Sequence, residues 1–179
     1  MVKEYIQSDL YRYYGKYDLK TFMMAFIRNR TFRFQCTFRL TQSKGFLKYF
    51  GLFLWSINRT KRQIQLGRET KVGYGLYIGH GGPIVVNPSA VIGNNVNLSQ
   101  FTTIGSNKGK AAIIGDNVYI GPGVCIVEDV KIGNNVTIGA GSVVTKSIPD
   151  NATAVGNYAK IINYNNPGRF VKNRWEYNE

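Results

Sequence analysis

The chain contains a single histidine, His80, within the glycine-rich stretch GLYIGHGGPIVV at residues 75–86. Histidine is the side chain that most readily changes its charge between pH 5 and 8, and a neutral imidazole can take a proton from a hydroxyl group as a general base. Gly81 and Gly82 follow it and leave open space beside the ring. A surface histidine in a turn is the alternative, but these surroundings favour a catalytic role.

A six-residue repeat surrounds this histidine. Aliphatic residues recur in steps of six, except for a step of eight after Ile84 and a step of ten after Ile104. This period is not helical; it predicts short β-branched strands joined by tight turns in which Gly and Asn adopt positive φ angles. Stacked coils of such strands form a solenoid with the aliphatic side chains as its core. The repeat positions are Leu66, Val72, Ile78, Ile84, Ile92, Leu98, Ile104, Ile114, Ile120, Ile126, Ile132, Ile138 and Val144.

The repeat resembles that of the hexapeptide-repeat acyltransferases. The stretch GLYIGHGGPIVVNPSAVIGNNVNLSQFTTIG at 75–105 resembles their serine acetyltransferase branch, and the resemblance extends to about residue 162. It implies a mainly β fold, a left-handed parallel β-helix with three hexapeptides per coil, preceded here by an α-helical N-terminal extension. It also implies an acetyl-CoA-dependent O-acetyltransferase that forms a homotrimer with sites between subunits, and His80 as the general base that activates the acceptor hydroxyl.

Three repeats per coil place both interruptions after the same column of repeat positions, so we expect both extra loops at one edge of the solenoid. Gln100 lies two residues past Leu98, as His80 lies two residues past Ile78. Because neighbouring coils are about 4.8 Å apart, Gln100 should lie within reach of the imidazole or its ligand. Gln100, Gly79 and Asn87 are the predicted acceptor-binding residues.

The acceptor site departs from the serine branch. That branch has one aspartate directly before the base and another fifteen residues upstream, where this chain has Gly79 and Gln65, and its second loop has an Arg-His pair that residues 105–112 lack. These groups would hold the ammonium and carboxylate of serine. We therefore predict a sugar hydroxyl as acceptor (polysaccharide, lipid-linked or nucleotide sugar), as in capsule and exopolysaccharide O-acetyltransferases. Serine O-acetyl transfer is the alternative, and Gln65, Glu69 or a backbone carbonyl is left to orient the ring.

The closing repeats predict the donor site. IGAGSVV at 138–144 and SIPDNATAVGNYAKII at 147–162 resemble the final coil of these enzymes, where the pantetheine arm of acetyl-CoA passes main-chain groups beside small residues. The resemblance implies contacts at Gly105, Gly121, Ala140 and Gly141. Lys146 and Lys160 are candidate partners of the CoA phosphates, with solvated surface lysines as the alternative.

Two cysteines, Cys36 and Cys125, are typical of a reduced cytoplasmic protein rather than a disulfide scaffold. No second histidine is present to activate Cys125, so we expect direct transfer rather than an acyl-cysteine. One histidine excludes the three-histidine zinc site of the γ-type carbonic anhydrases, which share the β-helix, and no metal site is expected. A non-catalytic β-helix scaffold is the remaining alternative.

The N-terminal third carries most of the formal net charge of +13. Residues 4–14, 19–40 and 46–62 are predicted helices, with Asp18 as the N-cap of the second. We expect these helices to pack on the end of the β-helix or across the trimer, with their cations solvated. Peripheral contact with the anionic inner face of the cell membrane is the alternative, and nucleic-acid binding is not expected because no recognised motif accompanies the charge.

The chain therefore divides into three predicted parts. Residues 1–62 form a basic, aromatic-rich helical region and residues 63–148 form the β-helix. Residues 149–179 form a C-terminal extension that packs on the coils through Phe170 and Trp175.

Overall fold

A computed structural model describes residues 2–107 and 109–176, in which helices come first and short strands follow. The helices are α1 (Val2–Tyr14), α2 (Leu19–Arg28), α3 (Arg30–Thr41) and α4 (Phe46–Arg62). The strands are β1 (Ile64–Leu66), β2 (Lys71–Val72), β3 (Tyr77–Ile78), β4 (Ile84–Val86), β5 (Val91–Ile92), β6 (Asn97–Leu98), β7 (Thr103–Gly105), β8 (Ile113–Ile114), β9 (Tyr119–Ile120), β10 (Cys125–Val127), β11 (Lys131–Ile132), β12 (Thr137–Ile138), β13 (Val143–Val144), β14 (Thr153–Val155) and β15 (Lys160–Asn163).

The strands form a parallel β-helix of three sheets. The first sheet has the order β1-β4-β7-β10-β13, the second β2-β5-β8-β11 and the third β3-β6-β9-β12-β14-β15. From β1 to β13 the chain returns to the same sheet after every three strands, and these pairs are parallel. β14 then pairs in parallel with β12, and β15 packs antiparallel on β14. The predicted mainly β solenoid with an N-terminal helical region is confirmed.

The turns of the solenoid use the residues that the repeat predicts. At the corner between the second and third sheets, Asn95, Asn117 and Asn135 have φ angles of 55°, 57° and 56°. Asparagine tolerates this left-handed region better than most residues, because its short side chain can form local hydrogen bonds. The aliphatic side chains of the strands on either side are thereby directed into one buried core.

The strand register differs from the predicted columns at one position. Leu66 pairs with Val86, so Val86 rather than Ile84 belongs to the row of Leu66. Ile84 lies two residues earlier on β4 and is also buried, which is why the apolar pattern did not separate the two. The step of eight therefore runs from Ile78 to Val86 and adds two residues to the turn at 79–83.

The extra loops consequently lie at different corners of the solenoid. The turn at 79–83 joins the third sheet to the first, whereas the segment after β7 joins the first sheet to the second. The prediction of a single loop-bearing edge is wrong because it depended on the position of Ile84. The coils also continue past the predicted boundary at residue 148, since β14 pairs in parallel with β12.

The predicted helix over 19–40 is two helices, separated at Asn29. The Asn29 Oδ1 atom accepts hydrogen bonds from the backbone N–H groups of Thr31 and Phe32, both at 3.1 Å. Asparagine is among the strongest N-cap residues, so its side chain begins a new helix within an otherwise continuous apolar run. At the start of α2, Asp18 accepts from the Thr21 N–H at 2.9 Å and is the predicted cap.

Polar side chains of the helical region cover the first coil. Asp9 and Arg39 form a buried ion pair in which two N–O distances are 2.9 Å. Asp9 also accepts the backbone N–H of Leu76 at 2.8 Å, and Arg39 donates to the carbonyls of Val72 and Gly73. Burial raises the pKa of Asp9, and the charge of Arg39 opposes that rise. The first coil has no preceding coil whose strands could pair with it. These side chains instead bind its backbone N–H and carbonyl groups.

Arg12 connects three parts of the molecule. Its guanidinium donates to the carbonyls of Gly75 and Lys172 and to the Asn97 Oδ1 atom. Burial lowers the pKa of Arg12 to about 10, so the side chain stays charged at neutral pH. The prediction that the cations of the helical region are solvated is therefore wrong for Arg12 and Arg39, which bind backbone carbonyls.

The C-terminal segment lies against the first coils and α1. The backbone N–H of Trp175 donates to the Asn95 Oδ1 atom at 2.8 Å, and the Trp175 ring packs edge-on against Tyr11. The Phe170 ring lies 4.9 Å from that of Tyr119. Across residues 2–107 and 109–176, no helix has the length and apolar character needed to span a membrane.

Candidate active site

His80 lies in the turn that contains the two extra residues. Ile78 pairs with Leu98 and Val85 with Thr103, so six residues separate the paired positions in the first coil and four in the second. The turn between β3 and β4 is therefore two residues longer than the turn between β6 and β7, and the two cannot stack residue by residue. His80 is exposed at this turn.

Gln100 packs against Gly82, which lies in the same turn as His80. A Cβ atom on Gly82 would lie 3.4 Å from the Gln100 Cβ atom, and the Phe101 N–H donates to the Pro83 carbonyl. Because the turn at 79–83 has two extra residues, Gln100 aligns with Gly82, and that Gln100 lies within reach of the imidazole or its ligand stays a prediction. The Gln100 Oε1 atom is buried and has no hydrogen-bond partner in the part of the chain that the structure describes. Gln100 thus remains close to the turn, one coil further on.

The helical region fixes the strand from which His80 extends. The Tyr13 hydroxyl accepts the N–H of Ile78 at 3.2 Å and lies 2.8 Å from the Ile78 carbonyl oxygen. Gln35 donates to the Leu76 carbonyl and accepts from the Tyr13 hydroxyl. Burial raises the pKa of Tyr13, so its phenol stays protonated. The backbone N–H of the residue two positions before His80 is therefore held by the Tyr13 hydroxyl, which Gln35 in turn orients.

A cleft of about 720 Å³ opens beside His80, between this turn and the helical region. Gly79, His80, Gly81 and Gly82 form one wall. The other walls come from the junction of α2 and α3 and from the end of α4. The contact is direct, because a Cβ atom on Gly81 would lie 3.7 Å from the Thr31 Cγ2 atom.

Three cationic side chains line this cleft: Arg28, Arg30 and Lys61. The break at Asn29 places Arg28 at the last position of α2 and Arg30 at the first position of α3. None of the three forms an ion pair with a carboxylate of residues 2–107 or 109–176. The lining of the cleft contains no Asp or Glu. The space beside the imidazole is therefore strongly positive.

The structure brings neither of the proposed side-chain orienters to the ring. The exposed Glu69 side chain pairs with Arg68 at 3.4 Å, and the Gln65 side chain points outward from β1. The His80 imidazole has no hydrogen bond to any residue that the structure describes.

Two predicted acceptor-binding residues have local structural roles. Gly79 accommodates a neighbouring ring, since a Cβ atom there would lie 3.2 Å from the Tyr77 Cε1 atom. Asn87 lies outside the cleft, and its Oδ1 atom accepts from the Ser89 N–H at 3.0 Å and the Ser89 hydroxyl at 2.9 Å. Gly79 thus contributes space to the cleft, whereas Asn87 closes its own turn.

Three predicted donor-site residues lie at the same corner as His80, in later coils. Gly141 has φ 68°, is exposed, and has no atom within 4 Å of the position of a Cβ atom. Ala140 beside it is also exposed. Gly121 is buried, and there is no space for a side chain at this position, since a Cβ atom would lie 2.8 Å from the Ile138 carbonyl oxygen. Ala140 and Gly141 therefore present accessible backbone, and Gly121 allows the coils to stack.

The other predicted donor-site residues, Gly105, Lys146 and Lys160, lie outside the turn at 79–83 that carries His80. Gly105 ends β7 at a different corner, where its carbonyl accepts the Glu128 N–H at 2.9 Å. Lys146 follows β13 and Lys160 begins β15, and both are exposed. The Asn157–Tyr158 peptide bond before Lys160 is cis.

The coils match a known repeat family. A family described as bacterial transferase hexapeptide (six repeats) matches residues 111–146. Serine acetyltransferase 3 of Arabidopsis thaliana, a mitochondrial protein, is 42% identical over 96 residues, which are 51% of this chain and 25% of the relative. The serine acetyltransferase of Staphylococcus aureus strain Mu50 is 39% identical over 104 residues, 56% of this chain and 49% of the relative.

Over the coils, the chain is similar to serine acetyltransferases. The similarity extends to the helices in three dimensions, since the Neisseria gonorrhoeae serine acetyltransferase in complex with serine has a TM-score of 0.73 at 28% identity. That match covers 89% of this chain and 68% of the solved one. The chain nevertheless spans only between a quarter and about half the length of the curated relatives named above.

The helical side of the cleft was not predicted from the sequence. Arg28, Arg30 and Lys61 lie in the basic helical region at 1–62, to which no residue of the predicted site was assigned. The Asn29 between two arginines is the signal that could have shown a helix break. The packing of that break against the His80 turn depends on contacts between residues about 50 positions apart, which a local pattern does not contain.

Proposed function

We propose that the chain is an acetyl-CoA-dependent O-acetyltransferase that uses His80 as the general base. The observation that carries the proposal is the position of His80, the only histidine of the chain, in an exposed turn that opens into a cleft of about 720 Å³. The similarity to serine acetyltransferases supports acetyl transfer to a hydroxyl group, and one similar structure, from Brucella abortus strain S19, is a complex with coenzyme A.

Serine is the acceptor that we propose first. The sequence alone favoured a sugar because the aspartates of the serine branch are absent at Gly79 and Gln65. The similar proteins are serine acetyltransferases, which favours the alternative reading, serine O-acetyl transfer. Arg28, Arg30 and Lys61 of the helical region also provide cations for a carboxylate beside His80.

The reaction needs one group that moves a proton. The His80 imidazole takes the proton of the acceptor hydroxyl as that oxygen bonds to the carbonyl carbon of the acetyl group. The carbon–sulfur bond breaks, and the imidazolium returns the proton to the departing sulfur.

Acetyl-CoA supplies the activated acetyl group. The exposed backbone at Ala140 and Gly141 fits the pantetheine arm, because no side chain blocks the approach. The Gln100 amide or a backbone N–H of the turn is the candidate donor to the developing oxyanion.

The remaining partners follow from the same proposal. We propose a homotrimer in which neighbouring subunits complete each site. Exposed apolar side chains along the solenoid, such as Phe101, Ile113 and Val85, support an interface on this part of the molecule.

The direct test measures thiol release from acetyl-CoA in the presence and absence of serine, with mass spectrometry of the acceptor. We expect serine-dependent thiol release and a product heavier by one acetyl group. Thiol release with a sugar and not with serine would restore the sugar prediction. Absence of transfer to any hydroxyl acceptor would contradict the proposed function and favour a non-catalytic scaffold.

A further inference from the structure

We propose that the cleft beside His80 selects acceptors that carry an anionic group, and that Arg28, Arg30 and Lys61 hold this group. The proposal rests on the proposed acetyl transfer and adds a substrate class to it. The shared chemistry is a carboxylate or phosphate on the same molecule as the reacting hydroxyl.

The first observation is the convergence of the cations. Arg28 ends α2, Arg30 begins α3 and Lys61 lies in the last turn of α4, so three helices direct one positive charge each to the same cleft. Like charges placed together repel one another, and no carboxylate lines the cleft to offset them. A ligand with negative charge removes this repulsion and is attracted into the cleft by the summed field.

The second observation is that these cations are not used elsewhere. The buried cations of the same region, Arg12 and Arg39, bind backbone carbonyls of the first coil. By contrast, Arg28, Arg30 and Lys61 are exposed, and none of them has an ion pair or side-chain hydrogen bond to the residues that the structure describes. Their donors are therefore available to a ligand. Arginine suits this role because its guanidinium binds a carboxylate or phosphate with two parallel hydrogen bonds.

The third observation is the side of His80 on which the cations lie. The exposed backbone at Ala140 and Gly141 is three strand spacings away from β3 in the third sheet, or about 14 Å along the solenoid axis. The helices pack on the first coil, at the opposite end of that sheet. Acetyl-CoA bound along the coils approaches His80 from the side of the later coils. The space on the helical side of His80 is then open to the acceptor. The cations are thus placed for the acceptor's anionic group rather than for the phosphates of CoA.

The test compares matched acceptors with and without the anionic group. Serine is paired with ethanolamine, which lacks the carboxylate, and sn-glycerol 3-phosphate is paired with glycerol. The variant Arg28→Gln/Arg30→Gln removes two cations, and Lys20→Gln/Lys48→Gln is the matched control, since both lysines are exposed outside the cleft. Melting temperatures check that both variants fold.

We expect the cleft variant to lower kcat/KM for the anionic acceptor by about ten- to a hundredfold, with little effect on its neutral partner. The control variant should leave both unchanged. The pair that shows the effect identifies the anionic group as carboxylate or phosphate. Equal loss for anionic and neutral acceptors, or no loss for either, would overturn the proposal. A raised KM for acetyl-CoA with an unchanged acceptor KM would also overturn it, because the cations would then serve the CoA phosphates.

A binding measurement separates this proposal from the proposed function. Isothermal titration with inorganic phosphate should show binding to the native chain and at least about tenfold weaker binding to Arg28→Gln/Arg30→Gln. That result supports the anion site even where no acceptor is acetylated. Equal phosphate binding by the native chain and the cleft variant, together with normal acetyl transfer, would overturn the anion site and leave the transferase proposal intact.

Discussion

The coils and the helical region hold their backbones together by different means. In the coils, each strand from β1 to β10 pairs with the strand three places further on, and similar aliphatic side chains repeat in the core. In the helical region, single polar side chains such as Asp9, Arg12 and Arg39 bind specific backbone groups of the first coil. The core contacts of the coils are therefore similar from one coil to the next. Each polar contact between the helices and the first coil, by contrast, occurs only once.

The coils and the helical region also contribute different parts of the candidate site. The coils provide a turn that carries His80 and an accessible backbone further along the same corner. The helices fix β3 through Tyr13 and supply the cations of the cleft.

The largest effect is expected from the buried ion pair. In Arg39→Met, Asp9 keeps its buried position without its main partner, and we expect a loss of about 3–5 kcal/mol in the free energy of unfolding. The double variant Asp9→Leu/Arg39→Met should recover part of this loss because no unpaired charge remains. Urea unfolding checks both values. A loss below about 1 kcal/mol in the single variant would show that the polar contacts matter less than the coil core.

The same variant should acquire a characteristic pH dependence. Burial raises the pKa of Asp9, and removal of Arg39 takes away the charge that opposes the rise. An acid whose pKa is higher in the folded than in the unfolded state makes the protein more stable at low pH. The free energy of unfolding of Arg39→Met should therefore fall as the pH rises above about 4. A rise over that range would contradict this assignment.

An intermediate effect is expected from the stacking of coils. In Gly115→Ala, the new Cβ atom would lie 2.6 Å from the Asn134 Oδ1 atom and 2.9 Å from the Gly133 carbonyl carbon. We expect a loss of about 1–3 kcal/mol by overpacking. Gly67→Ala is the matched control, since its nearest neighbours would be 3.4 Å away. Equal unfolding midpoints for the two variants would mean that the coils adjust more easily than their packing suggests.

The smallest effect is a difference in thiol reactivity between the two regions. Cys36 is buried on α3, and burial raises the pKa of its thiol well above the ordinary value. Cys125 on β10 is only half-buried. Iodoacetamide should therefore label Cys125 in the native protein and Cys36 only after unfolding, as peptide mass mapping can show. Native labelling of Cys36 would indicate that the helical region opens from the coils.

The sequence predicted the coils well because their signal is repeated. One isoleucine, Ile84, was assigned to the wrong row, since a strand with inward-facing Ile84 and Val86 offers two choices of frame. This single shift moved the extra residues away from the His80 turn, so the predicted frame aligned Gln100 with His80 instead of with Gly82. The cleft itself could not be predicted from the pattern, because Arg28 and Lys61 reach it only through the packing of non-repeating helices.

The central claim is that His80 is the base of an acetyl-transfer site, and His80→Asn tests it most directly. The side chain is exposed and makes no hydrogen bond to the residues that the structure describes, so the melting temperature should not change. We expect acceptor-dependent thiol release from acetyl-CoA to fall by about 10²- to 10⁴-fold in kcat, with the KM for acetyl-CoA preserved. A near-normal rate in a folded His80→Asn variant would contradict it.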